Sequence, residues 1–274
     1  MNSDKAVLGI VGSPNRDGRT NKIVSAVLEG AARNGAPTDI VQLGDNVVAA
    51  CKDCLPWVCK ENRKCTYDDE AFETLSEKIL KCGALVLGTP VYFWDASGMV
   101  KYLILKMFRV FAPSEPLQGV TALGIAVAGE TGNGLVSGLR PVYHFFQMMQ
   151  MRAMEPLPVT RFNFDAAIER AQALGEEIVG RRSRMPFKNL EERLLWYDAL
   201  PYFSLDRFGE RRLLADLMVG ALPPKADPSI ARGLARADAL AAAGKKLDSL
   251  VKIGRVYEAA DKNFEIENSL AWGL

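Results

Sequence analysis

Ala6-Val-Leu-Gly-Ile-Val-Gly12 runs directly into Ser13-Pro-Asn-Arg-Asp-Gly-Arg-Thr20, and this junction decides the fold. A short apolar run closed by Gly and Pro suits a strand buried on both faces of a parallel sheet. After it, Ile23, Val24, Val27 and Leu28 recur at helical spacing to about Ala32, with Thr20 or Asn21 available as N-cap. The alternation then repeats. Asp39–Leu43 reads as a second strand, and Phe72, Leu75, Ile79 and Leu80 mark a helix from Asp68 to Cys82. Asp68 and Asp69 fall where that helix's dipole favours anions. Ala84–Pro90 is the third strand, Ala96–Phe111 the third helix and Val120–Ala128 the fourth strand. A helix then runs through about Met151, followed by a weaker strand at Met154–Val159 and a helix from Asp165 to about Arg182. Five β–α alternations predict an α/β fold with a doubly wound, five-stranded parallel sheet.

In such a sheet ligands lie beyond the carboxyl ends of the strands, where Ser13–Thr20, Pro90–Trp94 and Gly129–Gly134 are expected to converge. The first loop offers Ser13, Asn15, Thr20 and Asn21 as polar partners, Gly18 for close backbone approach, and Arg16 and Arg19 as charge for a phosphate. It carries neither G-x-x-x-x-G-K-[ST] nor G-x-G-x-x-G, so neither a P-loop nor a dinucleotide fingerprint is present. In the second loop, Thr89-Pro90-Val91-Tyr92-Phe93-Trp94 places three consecutive aromatics after a central strand, which suits a flat ligand. The third supplies Gly129, Thr131, Gly132 and Asn133. Each loop alone also reads as an ordinary strand-to-helix turn, and aromatics more often fill cores than face cofactors.

Four of the five cysteines stand within fifteen residues, Cys51, Cys54, Cys59 and Cys65, in the connection after the second strand. Soft thiolates in that number suit an iron–sulfur cluster or zinc rather than magnesium or calcium. Lys52, Lys60, Arg63 and Lys64 surround them with positive charge, either tuning a bound metal or forming a solvated basic loop. Cys82 reads as a small buried hydrophobe, and His144, the only histidine, as structural.

The 274 residues carry a net charge of +1, which gives no reason to expect nucleic acid. The N-terminal apolar run is too short for a signal peptide, and no run approaches the roughly 18 apolar residues of a membrane span. The cytoplasm is therefore the expected location, where clustered cysteines point to metal or redox work rather than disulfides. Beyond residue 182 the composition shifts to helices separated by proline turns, so residues 1–182 are expected to form the sheet domain and 183–274 a helical extension. Ile230, Leu234, Ala237, Leu240, Ala241, Leu247, Leu250 and Val251 fall on one face of a long helix whose start is fixed by Pro223, Pro224 and Pro228.

Taken together, G-S-P-N-R-D-G-R-T-N at Gly12–Asn21, the cysteine loop followed by Tyr67-Asp68-Asp69, and G-T-P-V-Y-F at Gly88–Phe93 with Ser97 and Lys101 beyond resemble one family. Residues 6 to about 180 resemble the NADPH-dependent FMN reductase branch of the flavodoxin-like superfamily, and more narrowly its iron–sulfur flavoproteins. The resemblance implies FMN, with Ser13, Arg16, Gly18, Thr20 and Asn21 at the phosphate, Pro90, Val91, Tyr92 and Phe93 at the ring, and Gly129–Gly134 closing the site. It also implies a homodimer or homotetramer. The family's cysteine pattern is C-x2-C-x2-C-x4–7-C, whereas here Leu55-Pro-Trp-Val58 widens the second gap. A [4Fe–4S] cluster on Cys51, Cys54, Cys59 and Cys65 is the expectation, with zinc or unligated thiols as alternatives. The leading functional reading is a redox protein passing electrons between the cluster, FMN and a partner such as ferredoxin or NAD(P)H. A cluster-free flavin or quinone reductase and a non-catalytic flavin-binding assembly subunit are the alternatives.

Overall fold

The computed structural model describes residues 5–54, 58–129, 131–182 and 184–268. Its central sheet contains β1 (Val7–Val11), β2 (Thr38–Gln42), β3 (Ala84–Tyr92), β4 (Asp95–Ala96), β5 (Thr121–Val127), β6 (Arg152–Ala153) and β7 (Leu157–Val159). The parallel order is β2-β1-β3-β5, and β6 and β7 both pair with the far side of β5. This is the doubly wound arrangement of flavodoxin-like proteins, its fifth strand broken in two. The sequence predicts one strand over Met154–Val159. Instead pairing begins at Arg152, stops at Met154–Pro156 and resumes at Leu157. Pro156 and Pro158 lack the N–H that a ladder needs, and an edge strand tolerates that loss.

The helices are α1 (Arg19–Arg33), α2 (Val58–Asn62), α3 (Glu70–Lys81), α4 (Gly98–Phe111), α5 (Leu135–Met148), α6 (Phe164–Gly180), α7 (Leu190–Asp198), α8 (Arg207–Gly220), α9 (Pro228–Ala242) and α10 (Lys246–Asn268). On one sheet face Val24, Val27 and Leu28 of α1 pack with Ala171, Leu174 and Ile178 of α6 under Val7, Val86 and Leu123. On the other, Phe72, Leu75 and Ile79 of α3, Leu103 and Met107 of α4, and Leu139 and Phe146 of α5 cover Leu8, Leu85 and Leu87. Burying apolar side chains on both faces is what the uninterrupted strand patterns require.

The C-terminal region is helical as expected, but its long helix is two. Gly244 adopts φ +74°, Lys245 N–H bonds Leu240 C=O at 2.9 Å and Gly244 N–H bonds Ala241 C=O at 3.0 Å. That pair of bonds around a left-handed glycine is a Schellman stop. Because the chain reverses there, Leu247 and Val251 do not continue the apolar face and are exposed. A separate small core forms instead from Met218, Ile230, Leu234, Ile253, Val256 and Phe264, with Phe162 from the sheet domain. Further anchors reach the sheet domain: Trp196 Nε1 donates to Ala153 C=O at 2.9 Å and Tyr197 Oη to Met151 C=O at 2.7 Å.

Candidate functional site

The β1–α1 junction is shaped as an anion cradle. Gly18, not Thr20 or Asn21, is the N-cap of α1, and no side chain caps it. Helix N-termini leave backbone N–H groups without intrahelical partners, and an uncapped one attracts phosphate. Thr20 is buried within the first turn. Asn21 instead braces the loop from behind, its amide donating to Gln42 Oε1 at 3.1 Å and its oxygen accepting from Ser25. Gln42 in turn donates to the carbonyls of Ser13 and Asn15, tying the loop to β2. Within the loop, Ser13 Oγ accepts from Asn15 N–H and Asn15 Oδ1 from Asp17 N–H. Arg16 is exposed and pairs with Asp45 at 2.7 Å. Arg19 is half-buried, and burial followed by the neighbouring Arg161 charge lowers its pKa. Gln42 and Arg161 are absent from the sequence reading because nothing in the local pattern links either to this loop.

The aromatic stretch is a hairpin rather than a loop. β3 outruns β1, whose pairing ends at Val11 and Gly88, and turns back into β4 with Tyr92 opposite Asp95. The two turn residues, Phe93 and Trp94, have φ of 49° and 62°. Two consecutive positive φ values match the type I′ turn, for which Asn-Gly is the favoured pair. Bulky residues there carry strain. Their rings are displayed, with Phe93 93% exposed and Trp94 58% exposed, in an edge-to-face pair 5.9 Å apart. Pro90 is buried at the end of the central strand, and Val91 lies half-buried beneath the turn. Ser97 joins this hairpin to the phosphate loop. Its N–H donates to Thr89 Oγ1 at 2.9 Å and its hydroxyl to Gly12 C=O at 2.7 Å.

The third loop closes against the hairpin. Gly134 has φ +83°, and a Cβ there would lie 2.6 Å from Trp94 Cα, so glycine alone allows this approach. Gly129, Thr131 and Asn133 are exposed, while Gly132 is buried beneath Leu214 of α8. Glu130 lies outside the described residues. Tyr257 of α10 donates to Thr131 C=O at 2.9 Å. The three loops therefore meet at one end of the sheet, as expected, and the extension supports the third.

Cys51, Cys54, Cys59 and Cys65 line a single cavity of about 160 Å³ between the β2–α3 connection and α4. Cys59 is carried by α2, while Leu55-Pro56-Trp57 of the widened gap lie outside the described residues. The same cavity is walled by Lys106 and Arg109 of α4 and by Lys52, whose ammonium lies 3.9 Å over the Tyr67 ring. Lys64 is turned outward to Glu73 at 3.0 Å. Lys106 is buried and bonded to Asp69, the N-cap of α3, which also accepts from Ala49 and Phe72 N–H. Burial works against the Asp69 charge, but these three donors outweigh it and hold its pKa below the ordinary value. For Arg109, burial is likewise outweighed, by Asp53, Cys51 and Cys59, and its pKa rises. Among the described residues no three His, Cys, Asp or Glu side chains converge as a single-ion site.

Residues 6–157, more than half of the chain, match the NADPH-dependent FMN reductase family. The chain belongs to that family. An iron–sulfur flavoprotein of Methanocaldococcus jannaschii is 29% identical over 145 residues, covering 53% of this chain and 73% of the relative. One from Methanosarcina thermophila is 26% identical over 145 residues, covering 53% and 74%. Among solved structures, a flavone reductase superposes with a TM-score of 0.52 at 17% identity, covering 66% of each chain. An azoreductase from Bacillus anthracis str. Sterne gives 0.51 at 12% identity, covering 63% of this chain and 99% of its own. These two show the fold alone.

As a member of the FMN reductase family, the protein is a flavin-dependent oxidoreductase, which retires the non-catalytic alternative. Flavin chemistry asks the protein to bind, orient and tune the ring rather than to supply a nucleophile. The remaining polar candidates fit that division. Cys82 is buried, its pKa pushed up to about 12 by desolvation, and is not a ready thiolate. His144 is exposed on α5. Lys106 and Arg109 escaped the sequence reading, although Lys106 occupies a core position of α4 beside Leu103, Met107 and Val110. A lysine on a buried helical face is the signal that could have revealed the ion pair.

Proposed function

We propose that FMN occupies the mouth formed by the three loops, its phosphate at the N-terminus of α1 and its ring against the Pro90–Trp94 hairpin, with Gly129, Thr131, Gly132 and Asn133 closing the site. The observation that carries this reading is the pairing of an uncapped helix N-terminus with a strained turn displaying Phe93 and Trp94, the two stitched by Ser97. FMN, when bound, exchanges electrons or hydride with its partners through the ring. Ser13, Asn15, Gly18 and Thr20 shape the cradle, Arg16 balances phosphate charge, and Asn21 acts through Gln42 to fix the loop.

The four cysteines would hold a [4Fe–4S] cluster, which would supply single-electron exchange between this flavin and a one-electron partner such as ferredoxin, whereas NAD(P)H, a hydride carrier, would meet the flavin ring itself. Supporting this, all four thiols face one cavity, and Lys106 and Arg109 supply positive charge beside it. A cluster binds each thiolate through its own iron, so the sulfurs need not converge on one point. Tetrahedral zinc, at about 2.3 Å per bond, requires that they do. The relatives' names, iron–sulfur flavoproteins, agree with this assignment.

The test is anaerobic purification followed by a visible spectrum, iron and sulfide analysis and FMN titration. Iron and sulfide near four per chain support the cluster; zinc in their place sinks it. Arg16→Ala with Thr20→Ala should weaken FMN binding about tenfold or more, the worth of charge-assisted phosphate contacts. Unchanged affinity removes this loop from the site.

A further inference from the structure

Two recesses open beside the hairpin where the extension meets the sheet domain. One, of about 460 Å³, is lined by Trp94, Asn133, Ser137, Arg207, Glu210 and Arg211. The other, of about 290 Å³, shares Asn133 and Arg211 and is otherwise walled by Leu214, Leu250, Ile253, Gly254 and Tyr257. The shared residues make them neighbouring chambers, one charged at the edge of the aromatic platform and one largely apolar behind it.

Arg207 and Arg211 stand four residues apart on α8, hence on one helical face. Like charges at that spacing oppose helix formation. Arg212 on the same helix is committed to Asp216 and Asp238. Arg207 and Arg211 are exposed, and among the described residues neither joins an ion pair. The one acid of the recess, Glu210, accepts from Val136 N–H at 3.0 Å, which directs its charge to the N-terminus of α5. An anion placed between the two guanidiniums would relieve their repulsion and gain forked hydrogen bonds.

We propose that these chambers bind the anionic reaction partner of the flavin. Its carboxylate, sulfonate or phosphate sits at Arg207 and Arg211, and its apolar body extends along Leu214, Leu250 and Tyr257. The proposal rests on the flavin site assigned above, since Trp94 belongs to both the platform and the recess. It gives residues 183–274 a role in choosing the substrate.

The experiment compares wild type with the Arg207→Gln/Arg211→Gln variant. FMN affinity is measured first by titration. Steady-state kinetics then use 1,4-naphthoquinone-2-sulfonate, neutral menadione and NADPH. The expected result is at least a tenfold loss in the variant's preference, in kcat/KM, for the sulfonate over menadione. If the KM for NADPH rises instead, the anion is the nucleotide's phosphate, and the arginine site stands. Equal responses to all three with FMN still bound overturn the recess while leaving the flavin site intact. If wild type binds no FMN, the flavin reading fails, and equilibrium dialysis of the sulfonate decides separately: weaker binding by the variant upholds the recess, and equal binding overturns it.

Discussion

Phe93 and Trp94 stand where local preference calls for other residues, a mismatch that the flavin placement proposed above would explain. A type I′ turn favours Asn-Gly because both central residues need positive φ, and each non-glycine residue held in that region costs on the order of 1 kcal/mol or more. Replacing the pair by Phe93→Asn/Trp94→Gly should therefore raise the melting temperature of the apoprotein and weaken FMN binding, an inverse response read by calorimetry and flavin titration. A fall in both would mean that the rings stabilise the fold. Asp69 is a second residue-scale case. Its folded pKa is depressed, so its contribution is fully present above the unfolded carboxylate value of about 3.9 and is lost as pH falls through the lower folded value. Asp69→Asn keeps an N-cap but strands the Lys106 charge, and breaking such a buried pair costs about 3–5 kcal/mol. Denaturant melts should show that loss at pH 7 and a shrinking difference below about pH 4.

Elements were legible where burial is complete and periodic. Val7–Val11, Ala84–Tyr92 and Thr121–Val127 are apolar along nearly their whole length because helices cover both faces, and the sequence alone locates them to within two residues. Local chemistry with two solutions was not legible. Thr20 and Asn21 are good caps by type, yet the N-cap is Gly18, whose lack of a side chain leaves the first N–H groups open, as the phosphate site proposed above requires. The α9–α10 break was hidden similarly, since Leu240, Leu247 and Val251 keep a helical period across Gly244. Only the left-handed φ of that glycine reveals the stop. Gly244→Ala should lower stability by about 1 kcal/mol, seen as a small drop in the urea midpoint at unchanged slope. A stabilised variant would show that α9 and α10 can fuse into the single helix that the pattern suggests.

At the scale of the whole molecule, the site is assembled by chain segments far apart in sequence, which is why its supports escaped a linear reading. The phosphate loop depends on Gln42, and the glycine loop on residues more than seventy positions away: Glu210, Leu214 and Tyr257. The last of these can be tested without touching the flavin. Tyr257→Phe removes only the hydroxyl that donates to Thr131 C=O, a bond worth about 1 kcal/mol. If the extension holds the glycine loop in place, amide exchange at Thr131–Gly134 should quicken about fivefold in the variant while exchange in β1 and β5 stays unchanged. On the flavin placement proposed above, FMN should also dissociate faster, because the glycine loop opens more often. Equal exchange rates would make α10 a passive neighbour, and the glycine loop would then owe its conformation to the Gly134–Trp94 contact and to Glu210 at the start of α5.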